Sequence, residues 1–172
     1  MEPPSTPRLV LRELTPDDRP ALAAIMRDAR TMAAYEGPFS HAEVDAWLER
    51  QLVRYAADGH GLWAVTPRGE VEVIGQCGLT WQDIDGTTRL EVGYLFNRAW
   101  WGRGYATEAA RACRDAAFAV LGAQEVFAKV RDTNLASMNV AIRLGMTIRS
   151  RFVTRYRGVD MPHYAFAVRR PL

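Results

Sequence analysis

Apolar and polar residues alternate from Arg8 to Glu13, with Leu9 and Leu11 on one face and Arg8, Val10 and Arg12 on the other. That period of two predicts a short strand. Thr15-Pro16 then reads as a helix start, a capping residue followed by proline at the first position, and Leu22, Ile25 and Met26 recur at helical spacing. The segment from Arg30 to Phe39 has no period. Ser40 followed three residues later by Glu43 has capping-box spacing and opens a helix whose stripe is Val44, Leu48, Leu52 and Tyr55, ended by Gly59 and Gly61. Strands are predicted at Leu62 to Thr66, Val71 to Trp81 and Arg89 to Phe96, around turns at Pro67 to Glu70 and at Asp85-Gly86. A loop with Trp100, Trp101, Gly102 and Gly104 leads into a helix from Ala106 to Leu121. A strand at Glu125 to Val130, a helix at Leu135 to Leu144, and strands at Ile148 to Tyr156 and His163 to Arg169 complete the chain.

The order β-α-α-β-β-β-α-β-α-β-β predicts a mixed sheet with helices on both faces. At 172 residues the chain fits one domain, residues 8–172, behind a disordered proline-rich tail, residues 1–7. Net charge of +2 does not argue for nucleic acid. No apolar run approaches the roughly 20 residues that span a bilayer, and residues 1–7 lack a signal peptide's apolar centre; the cytoplasm is the expected location. Cys77 and Cys113 read as small buried hydrophobes, with neither disulfide nor zinc spacing. His41, His60 and His163 are too scattered for a metal site. Lys129 is the single lysine among 22 basic residues, which matches an alanine- and arginine-rich composition better than a phosphate-gripping one.

The chemistry concentrates between Arg89 and Leu121. A strand feeding a glycine-bearing turn that opens a helix is an anion-binding arrangement, because the helix begins with unpaired N–H groups at the positive end of its dipole. Trp101-Gly102-Arg103-Gly104-Tyr105-Ala106-Thr107 is neither the dinucleotide fingerprint nor a Walker loop. Taken alone it is equally a tight strand-to-helix turn.

The segment resembles the acetyl-CoA motif Q/R-x-x-G-x-G/A of the GNAT N-acetyltransferases. Gly104 and Ala106 fill its small positions, and Trp101 stands where glutamine or arginine is usual. WGRGYATEA is similar to the RimJ/RimL branch, named for ribosomal-protein N-terminal acetyltransferases. LVLRELTPDD, IGQCGL, LEVGYLF and NLASMNVAIRLGM match further family segments in the same order.

The resemblance implies an α+β fold in α/β/α layers, with a mostly antiparallel sheet of about seven strands splayed between strands 4 and 5. It implies acetyl-CoA as cosubstrate, no metal, and a primary amine as acceptor, attacked in a ternary complex. The pyrophosphate would sit on the N–H groups of Gly102, Arg103, Gly104, Tyr105, Ala106 and Thr107, with the Arg103 side chain either at its rim or simply solvated. The family's fourth strand carries a bulge, and Leu95 and Phe96 would offer backbone groups to the pantetheine arm. Glu91 is the candidate general base, or else the partner of an arginine such as Arg89. Asn134 would bond pantetheine; Asn139 and Arg143 would reach the adenosine or its 3′-phosphate, or form a solvated stripe. Ala141 falls where many members carry the tyrosine that protonates the thiolate, which leaves the acid role to Ser137 or to solvent. Tyr35, Glu36 and Trp81, with Phe39, Asp160 and His163, would line an acceptor pocket of acids among aromatics suited to a cationic amine. A protein N-terminus, a small amine, an amino acid or an antibiotic fits equally. A catalytically weak acyl-CoA sensor is the alternative reading, and a homodimer is compatible with the family.

Overall fold

The computed structural model describes residues 1–171. Its strands are β1 (Leu9–Arg12), β2 (Leu62–Pro67), β3 (Gly75–Ile84), β4 (Thr87–Phe96), β5 (Glu125–Arg131), β6 (Thr147–Tyr156) and β7 (Val159–Arg169). The helices are α1 (Arg19–Met26), α2 (His41–Asp58), α3 (Tyr105–Ala119) and α4 (Leu135–Arg143). One seven-stranded sheet runs β1-β2-β3-β4-β5-β7-β6. Every neighbouring pair is antiparallel except β4 and β5, which touch in register only at Glu91 and Phe127. Beyond that point the two strands diverge, so the end of β4 from Val92 to Phe96 faces a gap. The expected splayed GNAT sheet is therefore present.

Packing explains the layers. On one face, Leu22, Ile25 and Met26 of α1 and Val44 and Leu48 of α2 bury against Ala64 and Val73. On the other, Ala109, Ala110, Cys113, Ala117 and Phe118 of α3 bury against Cys77, Leu79, Leu90 and Val92. Small residues bring α3 close to the sheet, with the Cys77 and Cys113 sulfurs 3.7 Å apart and both buried.

The capping box is formed. Ser40 Oγ accepts from the Glu43 N–H at 3.2 Å, and the Glu43 carboxylate accepts from the Ser40 N–H at 2.7 Å. Gly59 closes α2 with φ of 72°. Ser40→Ala is expected to cost about 1 kcal/mol of stability, seen as a lower urea midpoint at unchanged slope.

Four expectations change. β3 begins at Gly75 rather than Val71 and continues to Ile84, because the Asp85-Gly86 turn, with φ of 54° and 74°, is tight enough for the ladder to run to its edge. β7 likewise starts at Val159, directly after the Arg157-Gly158 turn. The β3–β4 ladder is unbroken through all its pairs from Gly75↔Phe96 to Ile84↔Thr87, so β4 carries no bulge against β3. Residues 1–7 hold contacts in place of a free tail. The Met1 ammonium donates to the Gly59 carbonyl at 2.6 Å, and the buried Thr6 hydroxyl donates to Glu108 at 2.7 Å. Prolines leave this segment few donors of its own, and its anchoring comes from these polar groups.

Candidate functional site

The gap between β4 and β5 opens into a cavity of about 410 Å³. Alternation along β4 splits its lining between the two layers. Glu91, Gly93 and Leu95 face the α1/α2 side, whereas Val92 and Tyr94 face the α3/α4 side. The cavity joins the two where the sheet separates.

Glu91 is half-buried in its wall. One carboxylate oxygen accepts from the Lys129 N–H at 3.1 Å, and Thr80 lies directly across the ladder. Burial raises the Glu91 pKa above the ordinary carboxylate value, opposed by that N–H and by the charges of Lys129 and Arg54. No Arg89 pair forms; Arg89 lies over the Phe127 ring instead.

Asn134 and Ser137 line the opposite wall. Asn134 is the N-cap of α4, its Oδ1 accepting from the Ser137 N–H at 3.1 Å, which leaves its amide N–H₂ free to donate. Ala141 is fully buried, one turn further on. The sequence reading missed Tyr94. Its hydroxyl donates to the Ser137 carbonyl at 2.8 Å and pins the first turn of α4 to β4, and burial raises its pKa. The alternation of β4 held the signal, since Tyr94 shares the face of Leu90 and Val92 and must therefore meet the second helical layer.

Two assignments at the end of β4 change in detail. The Asn97 N–H donates to the Ile74 carbonyl at 2.9 Å. Through the two-residue repeat of the antiparallel ladder, Leu95 therefore turns its backbone to β3, and Tyr94 and Phe96 turn theirs to the gap. Leu95 meets the cavity through its side chain instead. The Phe96 carbonyl already accepts from the Trp101 indole N–H at 2.8 Å. Trp101, the departure from the family motif, thus secures the strand end.

The glycine loop stands at the mouth of α3. Gly102 and Gly104 have φ of 76° and 78°, and Gly104 is an N-cap without a side chain, so the first N–H groups of the helix have no side-chain acceptor. A second cleft, about 530 Å³, lies beside it, lined by Gly104 and Thr107 together with Arg8, Arg111 and Arg143. Arg8 is a further residue that sequence reasoning missed. It pairs with Glu108 at 2.6 Å, donates to the Arg103 carbonyl at 3.0 Å and lies 4.8 Å from the Tyr105 ring centre. Glu108 therefore adds no free negative charge at the helix mouth. Arg103 is exposed over Trp100, and Ala106 packs on the core. Arg143 reaches the cleft, whereas the exposed Asn139 lines neither cavity.

The acceptor assignment is corrected most. Tyr35, whose pKa burial pushes up to about 12, lines the main cavity with Phe39 and His163. Trp81 does not, because Thr80 and Gln82 take the cavity face and the alternation sends Trp81 to the opposite side, 6.3 Å from His60. Glu36 is spent on Arg131 at 2.6 Å, and Asp160 is exposed on the outer hairpin. Acids among aromatics do not describe this pocket, since among the described residues Glu91 is the only carboxylate in its lining.

Comparison with known proteins places this geometry. Residues 8–147 match the family model described as an acetyltransferase (GNAT) domain. The chain is 34% identical over 142 residues to the uncharacterised protein YkkB of Bacillus subtilis, covering 82% of this chain and 83% of the relative. It superposes on an acetyltransferase from Agrobacterium tumefaciens with TM-score 0.81 and 30% identity, over 96% and 93% of the two chains. The fold is also that of RimL, the ribosomal L7/L12 α-N-protein acetyltransferase, solved with coenzyme A, at TM-score 0.77 and 17% identity over 98% of each chain.

Proposed function

The chain belongs to the GNAT acetyltransferase family, and from that premise we propose that it transfers the acetyl group of acetyl-CoA to a primary amine by direct attack in a ternary complex. The observation that carries this reading is the meeting of Glu91 and Ser137 across one cavity at the β4–β5 splay.

The donor's phosphates rest on the N–H groups from Gly102 to Thr107, with Arg8, Arg111 and Arg143 supplying positive charge in the adjoining cleft. The pantetheine arm enters the gap beside the backbone of Tyr94 and Phe96 and meets the Asn134 amide. Glu91 takes a proton from the acceptor ammonium, and its raised pKa makes it a better base than an exposed carboxylate. The freed nitrogen attacks the thioester carbon. The Tyr94 or Phe96 N–H stabilises the oxyanion. As the C–S bond breaks, the nitrogen gives its second proton to water, and the thiolate takes a proton from water or from the Ser137 hydroxyl, which recovers one from water. Tyr94 holds Ser137 in place for this step.

The RimJ/RimL-like branch is supported by the WGRGYATEA string and by the shared fold with RimL. Two buried, unbridged cysteines accord with the reducing cytoplasm.

Thiol release from acetyl-CoA across a library of amines tests the proposal. Amine-dependent release is expected; stabilisation by acetyl-CoA without release for any amine would favour a sensor. Ser137→Ala is expected to lower kcat by less than the roughly 10²–10⁴-fold of an indispensable acid, because a thiol of pKa about 8.5 leaves readily as thiolate. Its KM for acetyl-CoA is expected to stay put. A kcat equal to wild type would assign the acid role to solvent.

A further inference from the structure

The acceptor end of the main cavity is cationic. Arg50 and Arg54 reach it from α2 and Lys129 and Arg131 from β5, against Glu91, the single lining carboxylate among the described residues. These four cations differ in what they already hold. Arg131 is neutralised by Glu36 at 2.6 Å. Among the described residues, the other three form no ion pair. Arg50 lies 5.3 Å from the Trp47 ring centre and Lys129 lies 5.6 Å from that of Phe152. Arg54 is half-buried, and its one polar contact among the described residues is a 3.4 Å approach of Nη1 to Gln51 Oε1. Burial and the neighbouring Arg50 lower its pKa, opposed by the more distant charges of Glu91 and Asp58, neither of which pairs with it.

This wall repels a plain amine. At neutral pH an acceptor amine arrives as an ammonium, and one carboxylate against three unpaired cations gives it no net attraction. A molecule with both charges fits: its anion meets the arginines and its ammonium meets Glu91. Arginine's planar fork also suits two carboxylate oxygens at once.

We propose that the acceptor is a small primary amine that also carries a carboxylate, an amino-acid-like molecule, with the carboxylate held by Arg54 and Arg50 and the amine directed to Glu91. This rests on the acetyl-transfer reading above. Size agrees, since about 410 Å³ must hold the thioester end of the donor as well as the acceptor. Outside the lining, Arg157 ties the β6–β7 hairpin to the segment ahead of α2 through the Glu36 carbonyl at 3.2 Å and to the first turn of α2 through the Glu43 carboxylate at 2.5 Å.

The test compares matched acceptors in the thiol-release assay: free amino acids, including aspartate and glutamate, against their α-carboxamides, simple diamines, and short peptides with acidic N-termini. The carboxylate form is expected to exceed its carboxamide in kcat/KM by roughly tenfold to a hundredfold, mostly through KM, the range of a charge-assisted hydrogen bond. Arg54→Gln is expected to collapse that ratio toward one, and Arg54→Lys to retain part of it. Thermal unfolding of both variants, with and without acetyl-CoA, reports that they fold and bind the donor. Equal or better use of carboxamides or diamines overturns the proposal, as does acetylation of peptides alone or a ratio that Arg54→Gln leaves intact. Those failures leave acetyl transfer standing. Absence of both thiol release and acetyl-CoA stabilisation would instead remove the reading on which the proposal rests.

Discussion

Gly104→Glu is expected to abolish the stabilisation of the protein by acetyl-CoA. At a hundredfold excess over Kd a ligand that binds only the folded state adds about 2.7 kcal/mol. For a domain of this size that is a rise in Tm of roughly 5–10 °C. Gly104 is where a side chain does most harm to the ligand and least to the fold. It caps α3 with φ of 78°, and a Cβ there would lie 3.5 Å from the nearest protein atom, Arg8 Nη2, which is ordinary contact. The fold therefore bears only the left-handed backbone penalty of about 1–2 kcal/mol. The ligand meets a carboxylate over the N–H groups that would hold its pyrophosphate. If that carboxylate turns to Arg8 instead, it withdraws a cation from the phosphate cleft, which acts in the same direction. Gly104→Ala carries the same backbone strain without the charge and is expected to keep part of the shift. Thermal unfolding of the three proteins with acetyl-CoA and with CoA decides it; a full shift in the Gly104→Glu protein would place the phosphates elsewhere.

The outline of this fold was legible because its signals are local. The Ser40/Glu43 capping box, the small-residue face of α3 and the glycines before it each depend on residues a few positions apart. The splay was legible only through resemblance, since no local pattern tells β4 and β5 to part after Glu91. What failed depends on parity and on distant partners. Trp81 and Thr80 are neighbours in the chain, yet a strand sends them to opposite faces, and the choice is made by the helices that cover the sheet. Glu36 looked available until its position set it on Arg131, 95 residues away. Arg54 sits on the second helix, three residues beyond Gln51 and on the same stretch as the apolar stripe; it reads as a solvated charge until α2 is laid against the end of β4. Arg8 belonged to a strand whose alternation explained it fully, and only the α3 contact gives it a second role.

Glu91→Gln is expected to lower kcat/KM by roughly 10²–10⁴-fold while leaving stabilisation by acetyl-CoA unchanged, and to raise the stability of the protein near neutral pH. The shape is preserved, because a glutamine oxygen can still accept from the Lys129 N–H. What is lost is the proton acceptor, so the limb of the pH–rate profile that belongs to the Glu91 carboxylate should vanish with it. The stability effect has the sign set by a raised pKa. Between the ordinary carboxylate value and that of buried Glu91, the folded protein holds a proton that the unfolded chain has released. The wild type therefore loses stability as pH rises through this window, and the loss is complete above the folded pKa. Glutamine does not titrate and avoids it. Below the ordinary carboxylate value both states of the wild type are protonated, and the gap between the two proteins should close. Denaturant unfolding from acid to neutral pH, run beside the rate profile, reads both effects on one variant. A base that catalyses because it is buried must weaken the fold that buries it; if the E91Q protein is slower but no more stable, Glu91 is held by its neighbours better than the pocket suggests. If it is neither slower nor altered in pH dependence, the proton leaves by another route.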